Sequence, residues 1–362
     1  MQVERIEDLA ELDRVRDDWE RLYDADPNSQ VFMSWAWTRA LLTVTKQRWF
    51  ILAVRDEHGD YVAFLPLAIR AFPSWAPAVD SDLLLAGNPM ADLNGLLARP
   101  DCEAAAVSAL TEHVRKMRWG TFHATDVSDP RLIQLFQSLP TDDFRPISFV
   151  KKDESPCPFV RLPKSWDDYL HTVSKRFRYE LRKSIREVSS LPDFRMENGN
   201  AENIERHIDL CIEMSEVRWR NSRRYREQQR ALMRECFRTG CLWSLTLWSG
   251  EEAVASILAL LDGRGRVFSG YKIGFNPRFA ETAPGKAIMG FGIQFAIAQN
   301  FTTYDFLRGG ESYKLRFGSD VRFTRHFGIT RSGRKHAVLN GARRAAFFAE
   351  RALARTQRVL AK

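Results

Sequence analysis

No stretch of this 362-residue chain approaches the ~20 consecutive apolar residues that a bilayer-crossing helix needs. The longest apolar run, residues 253–261, is strand-sized and interrupted by Ser256. The opening residues carry Glu4, Glu7 and Asp8 and no hydrophobic segment, which predicts no secretory signal and a cytoplasmic location. Cysteine is scarce. The five that occur, Cys102, Cys157, Cys211, Cys236 and Cys241, are odd in number and scattered, with no C-x-x-C spacing. That pattern argues for reduced thiols and against a disulfide framework or structural zinc. The seven histidines are isolated; His171 and His207 have no Ser, Cys or Asp at suggestive positions, so a hydrolase triad is not expected. No metal-ligand constellation, short-period repeat or low-complexity tract is present.

What remains is an ordinary globular composition, 44% hydrophobic and 12% aromatic, in a chain long enough for two cores. Residues 152–158, rich in charge and proline, mark the expected linker, giving domains at 1–151 and 152–330. The net charge of +8 is concentrated late: from Arg322 onward eleven Lys and Arg face the single Glu350. Residues 331–362 therefore read as a basic helical tail able to meet phosphate or the inner face of an anionic membrane.

Periodicity assigns the first half helices at 7–23, 34–45, 100–117 and 129–138, and strands at 49–56, 61–70, 81–86, 93–98, 121–124 and 144–151. The second half opens with one amphipathic helix over 165–188, apolar on one face and basic on the other, followed by helices at 202–219 and 225–237. The most informative stretch comes next. Strands at 242–248, 253–261 and 266–275, joined by Gly- and Asp-containing turns, form an antiparallel meander. The loop from Asn276 then opens directly into a helix, 286–300, that is apolar on almost every side and therefore buried. A loop feeding a helix N-terminus offers unpaired backbone N–H groups to an anion. Pro284, Gly285, Lys286 and Ala287, with Arg278, are the residues expected to meet a pyrophosphate. A last strand, 303–308, ends in Arg308-Gly309-Gly310-Glu311-Ser312-Tyr313-Lys314.

Acyl transfer to an amine requires proton removal, stabilisation of a developing oxyanion and protonation of the leaving thiolate. Glu311 is the first expectation for the base and Asp305 the second; Tyr313 could protonate the sulfur, and Lys314 could oppose oxyanion or phosphate charge. Equally, Asp305 and Arg308 could simply pair to finish the strand while Tyr313 packs.

Taken in order, Phe32-x-x-Trp35, Phe64-Leu65-Pro66-Leu67, Ser174-Lys175-Arg176-Phe177-Arg178, Tyr271, Asn276-Pro277, Pro284-Gly285, Asp305-Phe306-Leu307-Arg308-Gly309 and Tyr313-Lys314 resemble the GNAT acyltransferase superfamily. More narrowly they resemble CelD-like acetyltransferases of cellulose and exopolysaccharide biosynthesis, relatives of the Fem peptidyltransferases. The resemblance is strongest over 165–318. It implies an α/β (α+β) fold of tandem GNAT-like domains, each a mixed, mostly antiparallel sheet flanked by helices. It also implies acyl-CoA as co-substrate, with no permanently bound cofactor, and an amine acceptor such as an amino sugar. Arg308, Tyr271, Arg178 and Trp219 are expected at the substrate. Two departures stand out. Ala283-Pro284-Gly285-Lys286-Ala287 replaces the usual Gln/Arg-x-x-Gly-x-Gly/Ala loop, and Tyr313-Lys314-Leu315-Arg316-Phe317-Gly318 is similar to the Phe-Lys-x-x-Phe-Gly context of Fem enzymes, whose donor is aminoacyl-tRNA. The donor, the acyl length and the acceptor stay open. The alternatives are a long-chain transferase for an amino lipid, a tRNA-dependent transferase and a non-catalytic regulator, the last suggested by Arg351-x-x-x-Arg355.

Overall fold

The computed structural model describes residues 1–72, 80–148, 154–216, 221–264, 266–333 and 338. Trp219 and almost all of the tail thus lie outside the described residues. The first half runs β1 (Gln2–Ile6), α1 (Leu9–Arg14), α2 (Arg16–Ala25), α3 (Trp35–Val44), β2 (Arg48–Arg55), β3 (Tyr61–Phe72), β4 (Asp80–Leu85), β5 (Leu97–Ala98), α4 (Glu103–Lys116), β6 (Thr121–Val127), α5 (Pro130–Ser138) and β7 (Phe144–Pro146). The second runs β8 (Glu154–Arg161), α6 (Trp166–Thr172), α7 (Lys175–Ser189), β9 (Phe194–Asn198), α8 (Ile204–Ser215), α9 (Arg223–Arg238), β10 (Leu242–Ser249), β11 (Glu252–Leu261), β12 (Val267–Phe275), α10 (Pro284–Ala298), β13 (Thr303–Asp305), α11 (Ser312–Leu315) and β14 (Asp320–Arg331).

The described strands join one mixed, mostly antiparallel sheet, in the order β1-β2-β3-β4-β6-β14-β8-β13-β12-β11-β10-β9, with β5 on β3 and β7 on β14. Helices flank it, as expected of this fold class. Two neighbouring pairs are parallel, β4 with β6 and β12 with β13, and each spans a helical crossover, α4 or α10. The same unit, antiparallel strands followed by a crossover helix and a parallel strand, thus occurs in both halves.

Several boundaries differ from the sequence reading. The helix expected over 165–188 is two helices, because Ser174 caps the second: its hydroxyl accepts from the Phe177 N–H at 3.2 Å. The helix expected over 7–23 likewise breaks at Val15 and is preceded by a strand. From Glu154 onward the expected linker is strand β8. The largest omission is β14, whose Arg322, Arg325 and Arg331 had been counted with the basic tail. It pairs with β8 over residues 320–325 and with β6 from Arg325 to Thr330, so the end of the second half is sewn into the first.

The halves also share a core. Val31, Phe32, Trp37 and Leu41 pack with Ile208, Ile212, Leu232 and Met233 in one buried cluster. Beside it, the Tyr23 hydroxyl donates to Asp262 at 2.8 Å, and Arg264 donates to the Tyr23 and Ser29 carbonyls. In the first half Arg131, fully buried, is held by Asp26 at 2.8 Å and Asp129 at 2.7 Å and donates to the Leu96 carbonyl. Removing the guanidinium strands two buried carboxylates, so Arg131→Ala is expected to lose about 3–5 kcal/mol of unfolding free energy in denaturant melts. A loss below about 1 kcal/mol, the range of surface pairs, would show the pair to be solvated.

Candidate active site

The site begins where a ladder stops. β12 and β13 pair in parallel only over Val267–Thr303, Phe268–Tyr304 and Ser269–Asp305. Beyond these pairs β12 continues to Phe275 beside β11, while β13 ends. At the point of divergence β12 carries a bulge: Ala259 faces Gly270 and Leu258 faces Lys272, leaving Tyr271 as the extra residue. α10 closes one side of the opening. Its Gly290 admits Ile185 and Leu181 of α7, where a Cβ would stand 2.9 and 3.1 Å from their methyls.

A cavity of about 470 Å³ occupies the opening. Gly270, Tyr271, Lys272, Ile273, Met289, Tyr304 and Phe306 line it from the strands and α10. Arg308, Gly309, Glu311, Tyr313 and Lys314 line it from the turn after β13, and Met90 and Asp92 from the other half of the chain. Four residues expected from the sequence, Arg308, Glu311, Tyr313 and Lys314, therefore meet there, with Tyr271.

The turn is built to aim these groups. Leu307 adopts φ 56°, rare for a branched side chain, and its N–H donates to the Asp305 carboxylate at 2.8 Å. Gly309 follows at φ 131°. Between them Arg308 crosses to the first half, where its N–H donates to Asp92 at 3.2 Å and its guanidinium pairs with Asp92 at 3.3 Å and with Asp126. Asp126 is itself braced by the second half: Thr324 donates to its carboxylate, and its N–H donates to His326 Nδ1 at 3.1 Å. Lys314, 7% exposed, holds Glu311 at 3.1 Å and the Arg308 carbonyl at 2.8 Å.

Two further groups escaped the sequence reading. Asp92, its side chain 17% exposed, is pushed up to about 6 by burial, which outweighs the opposing charge of Arg308. It lies 216 residues from Arg308 in a connection between strands, and its only local signal is an acid set among apolar residues. Tyr304 is fully buried, and its hydroxyl makes no hydrogen bond among the described residues. It sits over Gly270, where a Cβ would come within 2.9 Å of the hydroxyl oxygen. A buried, unsatisfied hydroxyl at a cavity wall is a position that a ligand can complete.

Other expected residues stand elsewhere. Asp305 is 1% exposed and is engaged by the Leu307 N–H and by Arg322, so it has no access to an amine; nor does it pair with Arg308. The Tyr271 hydroxyl is tied to the Met90 carbonyl at 3.0 Å. Arg178 lies on the outer face of α7 and does not line the cavity. Arg278 is exposed and held by Glu252. At the start of α10, Ala287 is buried, Pro284 occupies the first turn and Gly285 abuts Phe275. Lys286 is bound to Glu180 at 3.0 Å. Hydrogen bonds from Lys286 and Arg316 bring the Glu180 carboxyl down to about 2, and Arg176 also donates to it. His207, read as isolated, has Ser244 Oγ at 3.0 Å and Glu197 at 3.1 Å. Both His207 and Ser244 are buried, so this trio ties β9 to α8 and β10 and presents no nucleophile. Among the described residues no group of three or more His, Cys, Asp or Glu could hold a metal.

A parallel strand pair splayed at a bulge, with a buried crossover helix and convergent polar groups, is the architecture of a GNAT-fold acyl-group transferase. Residues 175–315 match the acetyltransferase (GNAT) domain family, and that match supports N-acyltransferase activity. Among solved structures it is similar to FemX, with 11% identity, a TM-score of 0.63 and coverage of 91% of this chain and 97% of that one. It is similar to the C-terminal domain of a putative lysylphosphatidylglycerol synthetase from Agrobacterium fabrum (8% identity, TM-score 0.53, 92% and 96% covered). It is also similar to a tandem GNAT protein from the clavulanic acid biosynthesis pathway (12%, TM-score 0.50, 92% and 99%). Identities this low speak for the shared fold alone. No curated protein sequence matches the chain.

Gly309 is the most exacting position of the turn. A Cβ there would lie 2.3 Å from the Glu311 carboxylate and 2.8 Å from Lys314 Nζ, on a backbone that L-residues rarely adopt. Gly309→Ala is expected to abolish most turnover while costing about 1 kcal/mol or more in stability. A folded variant with wild-type turnover would show that the turn does not position reacting groups.

Proposed function

We propose that the protein transfers an acyl group, in the simplest case acetyl, from coenzyme A to an amine on a precursor of the cell envelope or of an exopolysaccharide. The observation that carries this reading is the splay between β12 and β13, which opens on a cavity holding a carboxyl poised near neutrality beside two cations. The CelD-like resemblance supports the acceptor class. The chain works as two GNAT-like halves, 1–151 and 152–330, on the cytoplasmic side, with the basic tail 331–362 as a peripheral membrane contact. Among the described residues no helix is long and apolar enough to cross a membrane.

In this mechanism the amine nitrogen attacks the thioester carbonyl, the new C–N bond forms, and the C–S bond breaks. Asp92, whose affinity for a proton is raised by burial, takes the amine proton in preference to Glu311, which Lys314 holds at 3.1 Å. The Lys314 ammonium opposes the charge that develops on the carbonyl oxygen. Tyr313, on the cavity wall, returns a proton to the departing thiolate, and the Tyr304 hydroxyl completes its hydrogen bonding on the bound donor. Arg176, Lys286 and Arg316, three cations around the single Glu180, meet the donor's phosphates at the start of α10.

A second reading, an aminoacyl-tRNA donor, is favoured by one observation: Lys175, Arg178, Arg182, Lys183 and Arg186 form a basic stripe on the outer face of α7. Saturable binding of tRNA, with no stabilisation by coenzyme A, would decide for it.

Two measurements test the leading reading. A base must be ionised, and the Asp92 carboxyl ionises as pH rises through about 6, so kcat/KM should fall tenfold per pH unit below that point. Asp92→Asn should lower turnover by roughly 10²–10⁴-fold and remove that limb; an unchanged profile assigns the proton elsewhere. Free coenzyme A should raise the melting temperature of the chain, since a ligand bound only by the native state stabilises it. Lys286→Glu should weaken that effect, and undiminished affinity in the folded variant would refute the phosphate placement.

A further inference from the structure

The cavity contains a cation that the chemistry above does not use. Among its described lining residues, Arg308, Lys314 and Lys272 carry positive charge. Arg308 is matched by Asp92 and Asp126, and Lys314 by Glu311. Lys272 makes a single polar contact, to Ser215 Oγ at 3.4 Å, and has no carboxylate within ion-pair distance among the described residues. Glu216 and Asp92 act on it only through space, and Glu216 is already engaged by Asn221 and Arg226.

Its position is set by the backbone. Lys272 is the residue after the bulged Tyr271, so the distortion that opens the strand pair also turns this side chain onto the cavity wall. It is half-buried. An ammonium withdrawn from water without an anion is costly, and a polar network left incomplete at a cavity wall marks the place of a missing partner.

We propose that Lys272 is an anion-recognition residue for the acceptor, receiving a carboxylate or phosphate carried on the same molecule as the accepting amine. The inference rests on the acyltransferase reading of the cavity. Burial, the largest influence on Lys272, lowers its affinity for a proton, and an acceptor anion would restore it. Recognition of this kind selects an amine already bearing negative charge over the same amine without it.

The test uses the full chain with its lysines converted to ¹³C-dimethyl-lysine, which keeps their charge, and follows the Lys272 resonance, assigned by its absence in Lys272→Met. Phosphoethanolamine and β-alanine are titrated against their uncharged counterparts, ethanolamine and β-alaninamide. The charged amines should move the resonance saturably, at concentrations roughly tenfold or more below those at which the neutral ones do, the worth of a charge-assisted hydrogen bond. Whether phosphoethanolamine or β-alanine saturates first identifies the anion as phosphate or carboxylate. Equal responses within each pair, or no movement at all, would overturn the proposal. Coenzyme A binding, read by melting temperature in the same Lys272→Met protein, stays unchanged if only the acceptor subsite is lost, so failure of this inference is distinguishable from failure of the donor assignment.

Discussion

Much of the molecule depends on Arg308 being held between Asp92 and Asp126. A single guanidinium from the turn after β13 satisfies two carboxylates contributed by the other half of the chain, and His326 and Thr324 of β14 brace one of them. Asp126 is buried and would be an uncompensated charge without Arg308, while the guanidinium itself still reaches water. The same contact fixes the turn that carries Glu311 and Lys314 and brings Asp92 to the cavity. Stability and the proposed chemistry therefore draw on one set of atoms. The raised affinity of Asp92 for a proton follows from its burial in that join.

The splay of β12 and β13 is the second constraint. Neighbouring strands normally satisfy each other's N–H and C=O groups along their length. Here the bulge at Tyr271 and the early end of β13 leave backbone on the cavity side without a ladder. An extended substrate arm is the natural occupant of such a gap, because it can hydrogen-bond as a strand would. α10 makes the gap tolerable by covering it with an apolar face that includes Met289 and Ile293.

How far the sequence discloses all this follows from which signals are local. The meander β10–β12, the buried α10 and the mixed α/β class are legible because strand alternation, Gly-containing turns and an all-round apolar helix are encoded within a dozen residues each. Arg308, Glu311, Tyr313 and Lys314 share one short segment, and they do meet at the cavity. Asp92 is not legible in this way, because its proton affinity comes from burial against residues more than two hundred positions away. Lys286 shows the converse: its place in the first turn of a helix is legible, but its pairing with Glu180 on α7 is not. Asp305 misleads for a similar reason, since Arg322, its partner, lies in a strand whose apolar alternation at Val321, Phe323, Phe327 and Ile329 is obscured by interspersed arginines. That Lys272 has no carboxylate partner among the described residues has no sequence signature at all.

The position of β14 in the sheet has a consequence for biogenesis. Because this strand lies between β6 and β8, the sheet has a gap at its centre until residues 320–331 have left the ribosome. Until then the early half waits with an unpaired β6 edge, and the later half with an unpaired β8 edge. Long-range pairings of this kind come late in folding, and exposed strand edges invite pairing with other chains. A nascent chain stopped short of Asp320 would lack the strand that seals its two halves, and with it the Thr324 and His326 contacts that brace Asp126 beside the cavity.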